Sequence, residues 1–194
     1  MMAKKLFPEF APYISMALTP MVFTARMIKK QDPDCKVVFV GPCAAKKLEA
    51  SRRSVRSDVD FVLTFEEIMG MFLAKDINLE EVDPDESLNV ASGDGRGFAV
   101  SGGVAQAVVN CIKKIDPDRE VKVESAQGLQ DCKKMLLLAR QGKFNGYLLE
   151  GMGCPGGCVA GAGTLQPVTK STALVNKYKA DAQKKHSYEN PYAD

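Results

Sequence analysis

Short runs of apolar residues alternate along the chain with stretches whose apolar residues recur every three or four positions. The run Val37-Val38-Phe39-Val40 is typical of a strand buried on both faces, as in a parallel sheet. The predicted strands cover residues 37–40, 58–63, 121–124 and 147–149. The predicted helices cover residues 20–30, 64–74, 104–115, 129–141 and 171–185. This alternation predicts an α/β fold class with a mostly parallel sheet flanked by helices.

Several residues predict where helices begin and end. Thr19 is placed to cap a helix that opens at Pro20. Thr64 and Glu67 have the spacing of a capping box. Gly142 is placed to end the helix before it.

Other segments have weaker patterns. Phe10, Ile14 and Ala17 have helical spacing, which Thr19-Pro20 interrupts. Residues 78–97 are acidic and irregular, so we expect a loop, and the part from Val82 to Ser92 is a candidate boundary between two lobes. The tail, residues 186–194, shows no pattern.

Composition narrows the function classes. The chain has 194 residues, of which 45% are hydrophobic and 26% charged, as in an ordinary globular protein. The net charge of +2 is too balanced to indicate nucleic acid or an anionic membrane as a partner. No apolar run approaches the ~20 residues of a spanning helix. Because the N-terminus has no secretory pattern, we expect a cytoplasmic protein.

Six cysteines are present, and we expect no disulfide framework in a chain that can build its own core. Cys111 and Cys132 fall at apolar helix positions and are interpreted as buried hydrophobic residues. Cys35 receives no role. The other three have neighbours rich in Gly, Pro and Lys, and they are Cys43, Cys154 and Cys158.

These three cysteines follow predicted strands: Cys43 after 37–40, and Cys154 and Cys158 after 147–149. In one parallel sheet both loops would open on the same edge, where three thiolates could converge. Thiolates suit iron–sulfur clusters and zinc. Zinc lacks a fourth ligand here, because the only histidine is His186 in the tail. A cubane cluster usually has four cysteines, so one ligand is missing or replaced.

Neighbouring residues have two interpretations each. Lys46 is a surface charge or a hydrogen-bond donor to an anionic cofactor. Glu49 and Glu150 are surface or capping residues. Gly102-Gly103 is a tight turn, or it presents helix N–H groups to an anion.

Taken together, these motifs resemble the catalytic domain of iron-only ([FeFe]) hydrogenases. Pro42-Cys43-x-x-Lys46-x-x-Glu49 is similar to the family's second cysteine motif. Residues 150–163, which read Glu-Gly-Met-Gly-Cys-Pro-Gly-Gly-Cys and continue into a glycine-rich turn, are similar to its third. Gly102-Gly103-Val104 and the tail 184–191 (Lys-Lys-His-Ser-Tyr-Glu-Asn-Pro) also match. The resemblance extends over nearly all of residues 1–194, so we expect a single family domain.

The resemblance implies an H-cluster, a [4Fe–4S] cubane joined through one cysteine to a diiron unit. It implies that Cys43, Cys154 and Cys158 ligate the cubane, with Cys158 as the bridge. Lys46 would hydrogen-bond a cyanide of the diiron unit, and Met152, which otherwise reads as a core residue, would pack beside it. Ser15 aligns with a serine of the proton path. The implied activity is reversible interconversion of protons and H2, with ferredoxin or another redox protein as electron partner and with dedicated maturation machinery.

Departures from the family pattern qualify this expectation. The first motif, Thr-Ser-Cys-Cys-Pro, is absent, so we expect a carboxy-terminal part of the domain whose fourth ligand lies on an upstream segment, inactive by itself. Gly41 stands where catalytic members usually have Met, and Met21 where many have Gln. The usual Gly-Gly-Gly-Gln-Pro ending reads Gly-Ala-Gly-Thr-Leu at 161–165. These changes are typical of a divergent, sensory branch.

Three alternatives therefore stay open. The first is a non-catalytic iron–sulfur sensor or assembly module of the same family. The second is a metal-free α/β scaffold with incidental cysteines, and the third is a bare zinc site.

Overall fold

A computed structural model describes residues 2–52, 55, 57–83 and 90–193. Its contacts divide the chain into two compact units. The large unit comprises Met1–Phe7, Asp83–Ala160 and Gln166–Asp194. The small unit comprises Pro8–Val82 and Gly161–Leu165. A division at Asp83 falls inside the segment where a boundary between lobes is expected, and residues 84–89 of that segment lie outside the described residues.

The small unit is built on a pair of parallel strands. Strand β1 (Val38–Gly41) pairs with β2 (Phe61–Thr64) in a register that runs from Val38 opposite Phe61 to Gly41 opposite Thr64. Its helices are α2 (Pro20–Gln31), α3 (Ala45–Ser51) and α4 (Phe65–Leu73). The buried core consists of Met21, Val22, Ala25 and Val59, against which Val37, Phe39, Ala50 and Val62 pack.

The large unit repeats this plan with a second parallel pair. Strand β3 (Lys122–Gln127) pairs with β4 (Tyr147–Met152), and Ser125 lies opposite Glu150. Its helices are α1 (Met2–Leu6), α5 (Gly93–Arg96), α6 (Gly103–Ile115), α7 (Leu129–Arg140) and α8 (Val168–Ala180). One core cluster holds Ala126, Cys132 and Met135, with Met2, Phe144 and Leu149 packed against it.

The α/β class with parallel strands is confirmed, and each predicted strand is present. Within the described residues the strands form separate two-stranded sheets, β1–β2 and β3–β4. The expectation that the loops after β1 and β4 open on one edge of a shared sheet is therefore wrong. Each pair lies in its own unit.

Local signals were mostly right. The Thr64–Glu67 capping box is present, with the Thr64 hydroxyl accepting from the Glu67 N–H and the Glu67 carboxylate accepting from the Thr64 N–H. Helix α7 ends at Arg140, and Gly142 follows it at a φ of 85°. Thr19 is a correction: it precedes α2 but makes no cap, because its hydroxyl donates to Glu49 instead.

Other boundaries differ from the predictions. Residues 8–13 form a 3-10 helix rather than a regular helix, since Pro12 lies inside it. The stretch read as loop contains α5, which Ser92 caps through the Gly95 N–H. Helix α8 starts at Val168 and ends at Ala180, earlier than predicted at both ends. In the patternless tail, Ser187–Glu189 form a 3-10 turn. Among the described residues, the helices include none with the length and apolar character needed to cross a membrane.

Candidate metal centre

The loop after β4 carries two of the candidate ligands. Cys154 and Cys158 lie there, both partly buried. The chain reverses at Gly156 and Gly157, whose φ angles are 97° and 99°, a region that L side chains rarely adopt. The Gly157 N–H donates to the Cys154 carbonyl at 3.0 Å, which closes the turn between the two thiols.

At Gly157 this loop also packs closely against the backbone of residues 99–101. A Cβ added there would lie 2.6 Å from the Ser101 nitrogen and 2.7 Å from the Ala99 oxygen. The Ser101 N–H donates to the Gly156 carbonyl at 3.0 Å. The glycine is required by this close approach of two backbones, so it needs no cofactor to explain it.

Glu150 fixes the other end of the loop. Its carboxylate accepts from the Gly102 N–H at 2.5 Å and from the Ala105 N–H at 3.0 Å. Both donors are at the N-terminus of α6, and the Glu150 residue is only 8% exposed. The capping interpretation of Glu150 is thus the one that the structure supports.

This arrangement changes how Gly102-Gly103 is understood. The anion at the start of α6 is the chain's own carboxylate, and the Gly103 N–H donates to the Val100 carbonyl. The N–H groups of both glycines are therefore used within the chain. Gly102 has a φ of 85°, and a Cβ there would meet no other atom within 4 Å. A Cβ at Gly103, in contrast, would lie 2.0 Å from the Gly97 carbonyl oxygen. A cofactor role for Gly102 and Gly103 stays a prediction.

The small unit carries the third candidate ligand. Cys43 lies two residues beyond β1, partly buried. Helix α3 follows at once and contains Lys46, whose Nζ lies 2.6 Å from the Glu49 Oε2. The other carboxylate oxygen of Glu49 accepts from the Thr19 hydroxyl. Burial raises the pKa of the Glu49 carboxyl, but the hydrogen bonds from Lys46 and Thr19 outweigh it, so the net shift is downward. The Lys46 ammonium group is therefore paired with a carboxylate of its own helix, and its hydrogen bond to an anionic cofactor stays a prediction.

The segment Gly161–Leu165 lies beside the Cys43 loop in the same unit. The Gly163 N–H donates to the Pro42 carbonyl at 3.0 Å. A Cβ at Gly163 would lie 2.4 Å from the Thr64 Cβ, so only glycine fits there. This part of the glycine-rich turn again serves packing within the protein.

Gly41 is a position where the sequence departs from catalytic members of the resembled family. Gly41 is buried at the end of β1. A Cβ at that position would lie 2.8 Å from the ring of Phe39. The Phe39 ring thus fills the start of the space that a larger residue at 41 would take.

Met152 lies in the large unit and Ser15 in the small unit. Met152 is the last residue of β4, and its carbonyl accepts from the Gly128 N–H and from the Cys132 thiol. Ser15 is exposed in the small unit, and its hydroxyl accepts from the Ala17 N–H at 3.2 Å. Their catalytic roles stay predictions.

The remaining cysteines divide as follows. Cys132 is buried as predicted, and burial raises the pKa of its thiol. Cys111 is only partly buried, and its sulfur lies 3.2 Å from the Ser187 hydroxyl.

The chemical type of the candidate ligands, free cysteine thiols, fits an iron–sulfur cluster. All six cysteines lie among the described residues and are thiols rather than disulfides. Among those residues, no three His, Cys, Asp or Glu side chains gather closely enough to share one metal ion. Soft thiolates on loops are the ligands that iron–sulfur clusters use. Cys154 and Cys158, held on one fixed loop, meet this requirement most directly.

Several buried polar groups escaped sequence analysis, among them the Asp94 carboxylate and the Ser101 hydroxyl. Asp94, 4% exposed, accepts from the Asn110 side chain at 2.8 Å and the Ser187 N–H at 3.1 Å, and lies 3.3 Å from the His186 ring nitrogen. It anchors the tail motif to α5 and α6. The hydroxyl oxygen of Ser101 is buried, and its backbone N–H donates to the Gly156 carbonyl of the cysteine loop. Its position directly before Gly102-Gly103 was the only available signal.

Comparison with known proteins agrees with this picture. A family model described as iron only hydrogenase large subunit, C-terminal domain, matches residues 1–162. The chain is 28% identical over 208 residues to the periplasmic [Fe] hydrogenase large subunit of Nitratidesulfovibrio vulgaris, covering 86% of this chain and 49% of that protein. It is 28% identical over 132 residues to the cytosolic Fe-S cluster assembly factor NAR1 of Kluyveromyces lactis, covering 61% of this chain and 28% of that protein.

A solved structure supports the fold. The chain superposes on a variant of the [FeFe]-hydrogenase HydA1 of Chlamydomonas reinhardtii with a TM-score of 0.75 at 22% identity, covering 98% of this chain and 66% of that one. The chain is thus an α/β protein made of parallel-stranded units that carry cysteine loops at strand ends. The chain belongs to the family of the iron-only hydrogenase large subunit, C-terminal domain. It spans half or less of the length of the curated relatives named above, 49% and 28%.

Proposed function

We propose that this chain holds a [4Fe–4S] cluster with Cys43, Cys154 and Cys158 as ligands. The observation that carries this proposal is the Cys154–Cys158 loop, closed by the Gly157 N–H and attached to the rest of its unit at both ends. A loop fixed in this way keeps two thiols in place before any metal binds, which lowers the ordering cost of binding. Family membership supports the same ligand type.

We further propose that the whole protein is an iron-only hydrogenase that interconverts protons, electrons and H2. When bound, the H-cluster would supply the metal site for this chemistry and would pass electrons to and from the redox partner. The chain's own residues would then hold and shield it: Lys46 would place a positive charge near an anionic ligand, Met152 would exclude water, and Ser15 would relay a proton. Ferredoxin or a similar redox protein would exchange electrons with it, and maturation machinery would build the diiron unit.

For Lys46 this role requires a choice between partners. Its ammonium group lies 2.6 Å from Glu49, and it has three hydrogens to donate. One hydrogen bond to Glu49 leaves others for an anionic ligand. The pair with Glu49 would then position the lysine rather than neutralise it.

The test is anaerobic reconstitution with iron and sulfide, followed by counting iron and labile sulfide per chain. We expect clear uptake by the wild type and by Cys35→Ser, because Cys35 is not a proposed ligand. Cys43→Ser, Cys154→Ser and Cys158→Ser should each lose most of the iron. Equal uptake by all of these variants would mean that the iron is bound elsewhere.

In this proposal residues 1–194 contribute three cysteine ligands to a cluster that usually has four. We therefore expect the purified 194-residue chain, after maturation, to show no hydrogen-dependent dye reduction. Turnover by this chain alone would overturn that expectation.

A second candidate function is a non-catalytic iron–sulfur sensor or assembly module. The observation that favours it is Gly41, where an added Cβ would lie 2.8 Å from the Phe39 ring, so a methionine would have to displace that ring. The relative named as a cytosolic Fe-S cluster assembly factor supports the same alternative. Infrared spectroscopy of matured protein separates the two functions, because CO and cyanide bands arise from the diiron unit alone.

A cytoplasmic location is part of the proposal. The names of the relatives include both a cytosolic and a periplasmic protein. Fractionation of cells that express the tagged protein would decide between these locations.

A further inference from the structure

The starting observation is an apolar sheet face in the small unit that stays exposed. Strands β1 and β2 are parallel, with Val38 opposite Phe61 and Val40 opposite Leu63. Because side chains alternate along a strand, these four lie on one face of the pair, which we call the outer face. Val38, Val40 and Phe61 are 47%, 37% and 61% exposed, and Leu63 is partly buried.

The opposite face of the same strands is covered. Phe39 and Val62 alternate with the residues of the outer face and pack against the buried core of the small unit, which includes Val22. A sheet face that is meant for water normally carries polar side chains. The outer face has none, so its sequence is that of a strand pair covered on both sides.

The edges of this sheet are also incomplete. Among the described residues, β1 pairs with β2 and with no other strand, and the same is true of β2. Parallel sheets occur almost only where helices cover both faces, and sheets of two strands are marginal by themselves. The small unit therefore has the features of part of a larger α/β layer structure.

The superposed solved structure indicates where the cover comes from. The match covers 98% of this chain but only 66% of the [FeFe]-hydrogenase chain. About a third of that chain thus has no counterpart in residues 1–194. The comparison therefore points to additional chain of the same family domain rather than to an unrelated protein or a second copy.

We propose that an apolar helix from the part of the hydrogenase domain outside residues 1–194 docks on the outer face, over Val40 and Phe61. A helix is the element that covers the faces of parallel sheets. It is carried on the same polypeptide or on a separate chain, and the contacts are the same in both cases. This inference goes beyond the proposed function, because it requires no cluster.

The test uses the photocrosslinker p-benzoylphenylalanine, placed at position 40 or 61 of the tagged protein in its own host cells. Position 115 is the control, because Ile115 is an exposed apolar residue of the large unit. We expect adducts from positions 40 and 61 whose peptides, identified by mass spectrometry, match the part of the family domain outside residues 1–194. An adduct within one polypeptide leaves its mass unchanged, whereas a separate chain adds its own mass.

A charge on the outer face provides the matched variant. Phe61→Lys, with the crosslinker at position 40, should lower the adduct yield about tenfold or more, because buried aromatic residues carry much of the energy of apolar contacts. Ile115→Lys should leave this yield unchanged. In the purified 194-residue chain both variants should melt within about 4 °C of the wild type, because neither residue is buried there.

Several results would overturn the proposal. They are adducts only between copies of this chain, adducts only with proteins outside the family, and no adduct above the level at position 115. A larger fall in melting temperature for Phe61→Lys alone would also overturn it, because the ring would then pack within the 194-residue chain. Since iron plays no part in these measurements, their failure leaves the cluster proposal standing, and failed iron uptake leaves this one standing.

Discussion

Removing the Glu150 carboxylate is the most direct way to test how the cysteine loop is held. Its two oxygens accept from the N–H groups of Gly102 and Ala105 at 2.5 and 3.0 Å. Glu150→Ala would leave both donors in a site that is only 8% exposed in the wild type. The same change removes a negative charge from the N-terminus of α6.

The magnitude follows from these contacts. A hydrogen bond to a charged group contributes about 1.5–3 kcal/mol, and a charge at a helix terminus about 0.3–1 kcal/mol. Because contributions that share one carboxylate do not simply add, we expect Glu150→Ala to lower the free energy of unfolding by about 3–5 kcal/mol. Glu150→Gln keeps an oxygen for one of the donors, so its cost should be about half as large.

The assay is urea denaturation followed by far-ultraviolet circular dichroism, with Glu120→Ala as a control. Glu120 is exposed in the same unit, and its replacement should change stability by less than about 0.5 kcal/mol. If Glu150→Ala prevents folding, Glu150→Gln still tests the argument through hydrogen exchange. The Gly102 and Ala105 amides should exchange faster in that variant. Unchanged stability in Glu150→Ala, together with unchanged protection of both amides, would refute the reasoning.

Two further predictions concern other parts of the structure. The Lys29 side chain and the Val37 N–H bond to Asp60 and lower the pKa of its carboxyl from 3.8 to about 2. Because the pKa is lowered in the folded state, the charged Asp60 carboxylate stabilises the fold at pH values above its ordinary pKa. This stability is lost as the pH falls through the folded-state pKa, so the melting temperature should drop between about pH 4 and pH 2. This drop in melting temperature should be smaller in Asp60→Asn than in the wild type. In the control, Asp34→Asn, it should be the same as in the wild type. At the cysteine loop, Gly157→Ala should cost at least about 1–3 kcal/mol from backbone strain alone, and more from the clash with Ser101. Gly102 has a similar φ but open space around it, so in urea denaturation Gly102→Ala should lose only the stability that backbone strain costs. Equal losses of unfolding free energy in Gly157→Ala and Gly102→Ala would contradict the close-packing argument.

The sequence predicted those features that depend on neighbouring residues. The capping box of Thr64 and Glu67 formed because both partners lie within one helical turn. Gly142 follows the end of α7 for a similar local reason. Cys43 and the Cys154–Cys158 pair were placed correctly after strands, because runs of β-branched and apolar residues identify strands without long-range information.

Features that depend on distant partners were missed. The hydroxyl of Thr19 donates to Glu49, thirty positions away, instead of capping the helix that follows it. A hydrogen bond from the Thr19 hydroxyl to the charged Glu49 carboxylate is stronger than one between the hydroxyl and a neutral helix N–H. No residue near Thr19 in the sequence indicates that this partner is available. The same holds for Asp94, which binds tail residues more than ninety positions later. Which strands pair was also out of reach, because the same apolar runs are compatible with one sheet or with two.

The glycines of the cysteine loop need a different explanation from the one their composition suggests. A glycine-rich stretch around two cysteines indicates close approach of a cofactor, yet Gly157 is needed because the loop meets the backbone of residues 99–101. The two attachments lie on either side of Cys154: Glu150 before it bonds to the start of α6, and Gly156 after it bonds to Ser101. A loop tied on both sides to one rigid segment cannot rearrange much when a ligand binds. Glu150, Gly156 and Gly157, which flank Cys154 in sequence, therefore serve to fix the position of the loop.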